Sequence, residues 1–397
     1  MFHVVCTALI WLGVVWTSAW GQSREVQEGL ALMASRTAGN CVTCHEIPVW
    51  RDATDPAQRL TLQGTFGPSL SGVGQRYTRA QLRQWVVDAR VMRPDTLMPP
   101  YGTTQGLNAP ARQHPLLTPA QIDAVVETLT RFTQTAQHSP ASPITPVPSS
   151  VAQLQAVKDM NPVDLWVEQG RQTWQRACVS CHALDDVVKT VPTFPRLNAQ
   201  HGLINLEDQI NRCRVRDGAR TSIKNNASNS AASNSNSNSK SNSSGTSTHD
   251  TAFLSVEDRT TLSLSAFLHA MARQQPIHIA APPDAAATAQ WQQHLDAGER
   301  LYNTRLGHMN LSCRQCHDDK VGAAMRAQRI PVAHPVGFPV YRISWQGLGS
   351  MDRRIRACLS GVQAEIPAAQ DVRLRQLELY LKIRAQGQLL EGPSLKP

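Results

Sequence analysis

The chain has 397 residues, a formal net charge of +9 and a pI near 9.3, and is 41% hydrophobic but only 5% aromatic. That length exceeds one ordinary hydrophobic core and points to two or three domains, each short of aromatic filling. The positive excess favours small anions or acidic proteins as partners; with no long basic run, zinc-finger spacing or aromatic RNA motif, it does not argue for nucleic acid.

Residues 4–16 are almost wholly apolar, and Ser18, Ala19 and Gly21 lead from them into a polar stretch. We expect residues 1–21 to be a signal peptide, because the run matches an export h-region and is too short to span a bilayer. Met1-Phe2-His3 lacks the usual Lys or Arg. Cys6 would leave with the signal, no later segment is apolar enough to be a membrane helix, and the expected location is the periplasm.

Six of the nine cysteines fall in three pentads: Cys41-Val42-Thr43-Cys44-His45, Cys178-Val179-Ser180-Cys181-His182 and Cys313-Arg314-Gln315-Cys316-His317. In a c-type haem site two thiols add across the porphyrin vinyl groups, while the adjacent His binds the iron. A zinc site or a redox disulfide also uses Cys-x-x-Cys, but neither needs a His fused to every pair. The expected cofactors are three covalently bound c-type haems, with His45, His182 and His317 as proximal ligands.

Each pentad has a similar lead-in, Glu28-Gly29, Glu168-Gln169-Gly170 or Asp296-Ala297-Gly298, and a helical pattern further on. The first unit spans 24–136. After its pentad come a Gly/Pro-rich loop at 67–74, a helix marked by Leu82, Trp85, Val86 and Ala89, and a turn holding Met98-Pro99-Pro100. Thr118-Pro119 then starts a helix whose buried face is Ile122, Val125, Val126 and Leu129.

Residues 137–160 read as a Pro/Ser-rich linker. The second unit spans 161–280 and the third 281–397. In both, the pentad precedes an Arg-rich helix with a lone cysteine, Cys213 or Cys358. A closing helix follows, marked by Leu264, Phe267 and Leu268 or by Leu377, Tyr380 and Leu381. Residues 223–250, dominated by Asn and Ser, read as a disordered insertion. The expected fold is mainly α, with three cytochrome c-like haem domains in series, the last two related by internal duplication and sharing an interface.

A haem iron bound by His has a second axial position, and its ligand tunes the potential. In the first unit Met98 is the leading candidate, held by neighbouring prolines, with Met92 and Met33 as competitors. Cys213 and Cys358 either form a disulfide or each serve their own haem; their recurrence at one place in the duplicated units favours axial ligation. Arg354 lies four residues before Cys358 and shares its helix face, whereas Gln209 holds that place before Cys213. A guanidinium there stabilises a thiolate and binds an oxyanion, or else meets a haem propionate. His294, His308 and His334 are pocket or structural histidines.

At this point the residues resemble a known family. Residues 307–319, His334-Pro335-Val336-Gly337-Phe338-Pro339, Leu348-Gly349-Ser350 and 353–365 resemble SoxA, the dihaem subunit of the thiosulfate-oxidising cytochrome complex SoxAX. Gly39-Asn40-Cys41, Gly67-Pro68-Ser69-Leu70, Arg76-Tyr77-Thr78 and residues 94–100 resemble its partner SoxX, so the chain looks like a SoxX–SoxA fusion.

The resemblance implies an L-cysteine S-thiosulfotransferase: thiosulfate joined oxidatively to a cysteine of a SoxYZ carrier, with two electrons passing through haem to an acceptor cytochrome c. It implies a cysteine persulfide ligand at Cys358 and an active-site arginine at Arg354. The rival functions are a plain multihaem electron carrier and a thiosulfate dehydrogenase forming tetrathionate.

Overall fold

The computed structural model describes residues 23–51, 62–134, 161–215, 255–326 and 328–396. The expected signal peptide (1–21), linker (137–160) and Asn/Ser insertion (223–250) lie outside the described residues. The architecture is mainly α. The first region contains α1 (Arg24–Ala34), α2 (Arg79–Met92) and α3 (Pro119–Thr130). The second contains α4 (Pro162–Ala177), α5 (206–215) and α6 (Arg259–Met271). The third contains α7 (Ala285–Asn303), α8 (Met351–Gly361) and α9 (Val372–Arg384).

Helix starts follow local chemistry. Thr118 accepts the Gln121 N–H and the Gln121 side chain accepts the Thr118 N–H, a reciprocal cap with Pro119 just inside the helix. Thr78 and Gln81 do the same for α2, and Ser350 caps α8. Ile122, Val125, Val126 and Leu129 are buried, as their spacing predicts.

In each region the helix before the pentad packs on the closing helix: α1 on α3, α4 on α6, α7 on α9. The lead-in glycine sits at each crossing. A Cβ on Gly29 would strike the Ala124 carbonyl, one on Gly170 the Ser263 carbonyl and one on Gly298 the Gln376 carbonyl. The repeated glycine therefore records a close backbone approach between two helices.

The first region shares a core with the third. Val42, Phe66 and Leu117 cluster with Met309, Leu311 and Ile330. Backbone bonds cross the junction from Thr65 N–H to the Ala324 carbonyl (2.9 Å), Gly307 N–H to the Asn108 carbonyl (2.8 Å) and Ala111 N–H to the Gln363 carbonyl (3.0 Å). Arg326 reaches from the third region to Thr43 Oγ1 (3.1 Å) and the Ala34 carbonyl (3.0 Å).

The second and third regions meet, with Leu379 and Leu390 buried among second-region side chains. A buried ionic cluster fixes that junction. Arg375 on α9 is 2% exposed, donates to both carboxylate oxygens of Asp208 (2.5 and 3.0 Å) and pairs with Asp352 in the first turn of α8.

Small sheets complete the frame. β1 (Arg196–Asn198) pairs antiparallel with β2 (Gly202–Ile204). In the third region β3 (Val340–Arg342) lies between β4 (Gly347–Gly349), antiparallel to it, and β5 (Ser394–Lys396), parallel to it, with Arg342 opposite Lys396. The sequence reading did not anticipate these strands. Among the described residues no helix is long and apolar enough to cross a membrane.

Candidate functional site

One cavity of about 2400 Å³ lies between the first and third regions, lined by Cys41, Cys44 and His45 from one side and Cys313, Cys316 and His317 from the other. It exceeds the roughly 300–1,000 Å³ of an ordinary small-molecule pocket, so it has room for more than one large group. Cys44 and Cys316 lie near enough to interact electrostatically.

The two histidines are prepared as ligands. Nδ1 of His45 is 2.6 Å from the Pro68 carbonyl and Nδ1 of His317 is 2.7 Å from the Pro331 carbonyl. Each Nδ1 proton is thereby fixed, and Nε2 keeps its lone pair for a metal. Burial pushes both histidines below their usual range, against the opposing carbonyl bonds, which favours the neutral, ligating form. Gly67 packs against the His45 ring, where a Cβ would come within 2.5 Å of Cε1.

Burial also pushes the thiols of Cys41, Cys44 and Cys313 up to about 12 and that of Cys316 up to about 11. A site that disfavours thiolate suits the uncharged thioether made by addition to a vinyl group. The Nδ1 anchors, the free Nε2 faces and the buried thiols therefore fit c-type haem at these two pentads.

All three candidate methionines of the first region border the cavity. Met33 is fully buried on α1, Met92 is exposed at the end of α2, and Met98 is half-buried in its loop, its N–H donated to Thr96 Oγ1 at 3.1 Å.

On the third side α8 brings Arg354 and Cys358 to the cavity, both half-buried. The Cys358 sulfur reaches Cys313 and Cys316 electrostatically, and the Arg354 charge helps hold His317 down. Cys213 and Cys358 are both free thiols, so the disulfide alternative is not realised. A residue the sequence reading missed, Arg342 on β3, also lines the cavity, close to both Arg354 and Cys358. Its only sequence signal was a position next to the His-Pro-Val-Gly-Phe-Pro motif.

The second pentad is placed differently. Cys178, Cys181, His182 and Cys213 are not part of this cavity, and Cys181 is exposed. The Trp174 and His182 rings lie 6.5 Å apart, and Gln209 Nε2 donates to Cys213 Sγ at 3.5 Å. Gln209 thus engages its cysteine, whereas no hydrogen bond links Arg354 to Cys358 among the described residues.

His334 lines the cavity and is bonded to Gln388 Nε2 at 2.6 Å. His308 is buried against the Arg112 carbonyl at 3.0 Å, and His294 accepts from Gln376 at 3.1 Å.

Fold and site together define a class: a mainly helical protein organised around c-type haem-attachment pentads, two of which open onto one basic cavity. No family model matches the chain. It is 29% identical over 248 residues to the L-cysteine S-thiosulfotransferase subunit SoxA of Pseudaminobacter salicylatoxidans, covering 59% of this chain and 73% of that protein. It is 25% identical over 245 residues to the SoxA of Paracoccus pantotrophus, covering 59% and 72%. The crystal structure of SoxXA from P. pantotrophus superposes with a TM-score of 0.49 at 21% identity, over 63% of this chain and 84% of that one. The chain is thus similar to SoxA subunits across more than half its length, which agrees with the SoxA part of the resemblance read from its motifs.

Proposed function

We propose that this protein is an exported, periplasmic cytochrome that joins thiosulfate oxidatively to a cysteine of a carrier protein of the SoxYZ kind. The observation that carries the reading is the meeting of Cys358, Arg354 and the His317 pentad in one basic cavity, within a chain related to SoxA. The net change is R–SH + S₂O₃²⁻ → R–S–S–SO₃⁻ + H⁺ + 2e⁻. The new bond joins the carrier sulfur to the outer sulfur of thiosulfate, the proton goes to solvent, and the electrons leave to an acceptor cytochrome c.

In this reading His45 and Met98 would hold one haem iron, His182 and Cys213 a second, and His317 and Cys358 the third. Bound haem supplies the one-electron acceptors that removal of two electrons requires. Arg354 holds the anion beside Cys358, whose sulfur marks where sulfur–sulfur chemistry occurs. The first region acts as a SoxX-like electron-accepting unit fused to its partner, so that two sites face one another at high effective concentration. The second and third regions are read as duplicated haem units.

Incubating the holoprotein with thiosulfate, ferric cytochrome c and a peptide with an accessible cysteine tests this. The expected result is cytochrome reduction dependent on the cysteine, with a thiosulfonate mass added to the peptide. Cys358→Ala should abolish both while intact mass still reports three haems. Tetrathionate formed without peptide would instead support a dehydrogenase, and no turnover of either kind an electron carrier.

A further inference from the structure

Arg342 and Arg354 reach the cavity from unrelated elements, one from the central strand of a three-stranded sheet and the other from α8. Neither has an ion pair or side-chain hydrogen bond among the described residues. Of the carboxylates that line the cavity among the described residues, Asp95 pairs with Arg93 and Glu391 is exposed. The fold thus brings two permanently charged guanidinium groups from separate elements to the cavity near Cys358.

Arg342 is held there by its strand and a ring contact. β3 is hydrogen-bonded on both sides, and the Arg342 guanidinium lies 5.5 Å from the centre of the Trp345 ring. Burial and the Arg354 charge both press Arg342 below its usual range. Arginine keeps its proton, so the two side chains present fixed positive charge to an anion entering the cavity. Lys396, opposite Arg342 on β5 and also at the cavity, adds to the positive field.

We propose that Arg342 is the second half of the substrate anion subsite: with Arg354 it forms a two-guanidinium clamp on the sulfonate end of thiosulfate, selecting a dianion and fixing it beside Cys358. This inference rests on the thiosulfate reading above and adds a second anion-binding arginine carried by a separate element. Two guanidinium forks supply more directed donors than the three oxygens of a sulfonate need, so the substrate is oriented as well as attracted.

The test is thiosulfate binding to the oxidised holoprotein by calorimetry, without any carrier cysteine, alongside steady-state kinetics. Arg342→Gln should weaken thiosulfate binding and raise KM by about tenfold or more, with kcat largely kept. Arg342→Lys should lose less, because it keeps the charge but not the fork. Arg353→Gln, which alters a neighbour stacked 4.5 Å from the same Trp345 ring but outside the cavity lining, should leave binding unchanged.

Unchanged thiosulfate affinity in Arg342→Gln, with a lost haem or an altered haem spectrum, would make Arg342 a propionate partner and overturn the proposal. Wild-type protein that binds thiosulfate yet never conjugates it would sink the activity reading alone, and the binding series would still decide the role of Arg342. Wild-type protein that binds neither thiosulfate nor sulfate would remove the subsite.

Discussion

Replacing Arg375 by Leu should destabilise the protein in a way that grows with pH. Arg375 is the cation between Asp208 and Asp352, and Glu378 and Glu207 stand close enough to feel the same charge. Burial already pushes Asp352 above its usual range and Glu378 up to about 8, with Arg375 holding both down. A buried ion pair stripped of one partner costs about 3–5 kcal/mol, or roughly 6–20 °C at about 2–4 °C per kcal/mol.

The pH sign follows from the direction of the shifts. A carboxyl whose folded pKa is raised favours the folded state while protonated, and that contribution is lost as pH rises through the folded value. Loss of Arg375 raises these carboxyls further, so the deficit of Arg375→Leu should be small near pH 5 and large near pH 8.5. Far-UV circular dichroism melts of wild type and variant at both pH values measure it. Equal deficits at the two pH values, or a drop below about 2 °C at both, would refute the assignment of Arg375 as the compensating charge.

Gly67→Ala should displace His45, since the added methyl meets its ring at 2.5 Å; intact mass and spectra should show a disturbed site at the first pentad, with the Cys178 and Cys313 pentads unaffected. Gly298→Ala should force α7 from α9, where its Cβ would fall 2.7 Å from the Gln376 carbonyl carbon and 3.0 Å from Tyr380 Cβ, and lower the melting temperature by several degrees. Arg326→Ala removes the donor to Thr43 and to the Ala34 carbonyl, so hydrogen exchange should rise at the junction of the first and third regions, around Thr65 and Ala324, while the α4–α6 pair is unchanged.

The features legible in the sequence are those written in short spacings. Cys-x-x-Cys-His sets two thiols and an imidazole by covalent proximity, Thr118-Pro119 with Gln121 writes a helix cap, and Arg354 and Cys358 share a face because four residues make about one helical turn. The lead-in glycines were visible as a repeated pattern, but their reason was not. A glycine at a helix crossing looks the same in sequence as one in a turn, and only Ala124, Ser263 and Gln376 on the facing helices explain it.

Arg342 stayed hidden because its place depends on Ser394–Lys396 pairing beside Val340–Arg342, a contact between chain segments with no shared local signal. The joint cavity stayed hidden for the same reason. Met309, Leu311 and Ile330 read as ordinary apolar residues of the third region, yet they complete the core of the first.

The amino-acid order by itself determined how many Cys-x-x-Cys-His pentads the chain carries, which histidine and thiols belong to each, and where its main helices begin. Tertiary structure decided that the first and third pentads open onto one space, that the second stands apart from it, and that a second arginine faces Cys358. Spacing along the chain governs covalent reach and helical phase, whereas the meeting of distant segments is set by which surfaces bury one another.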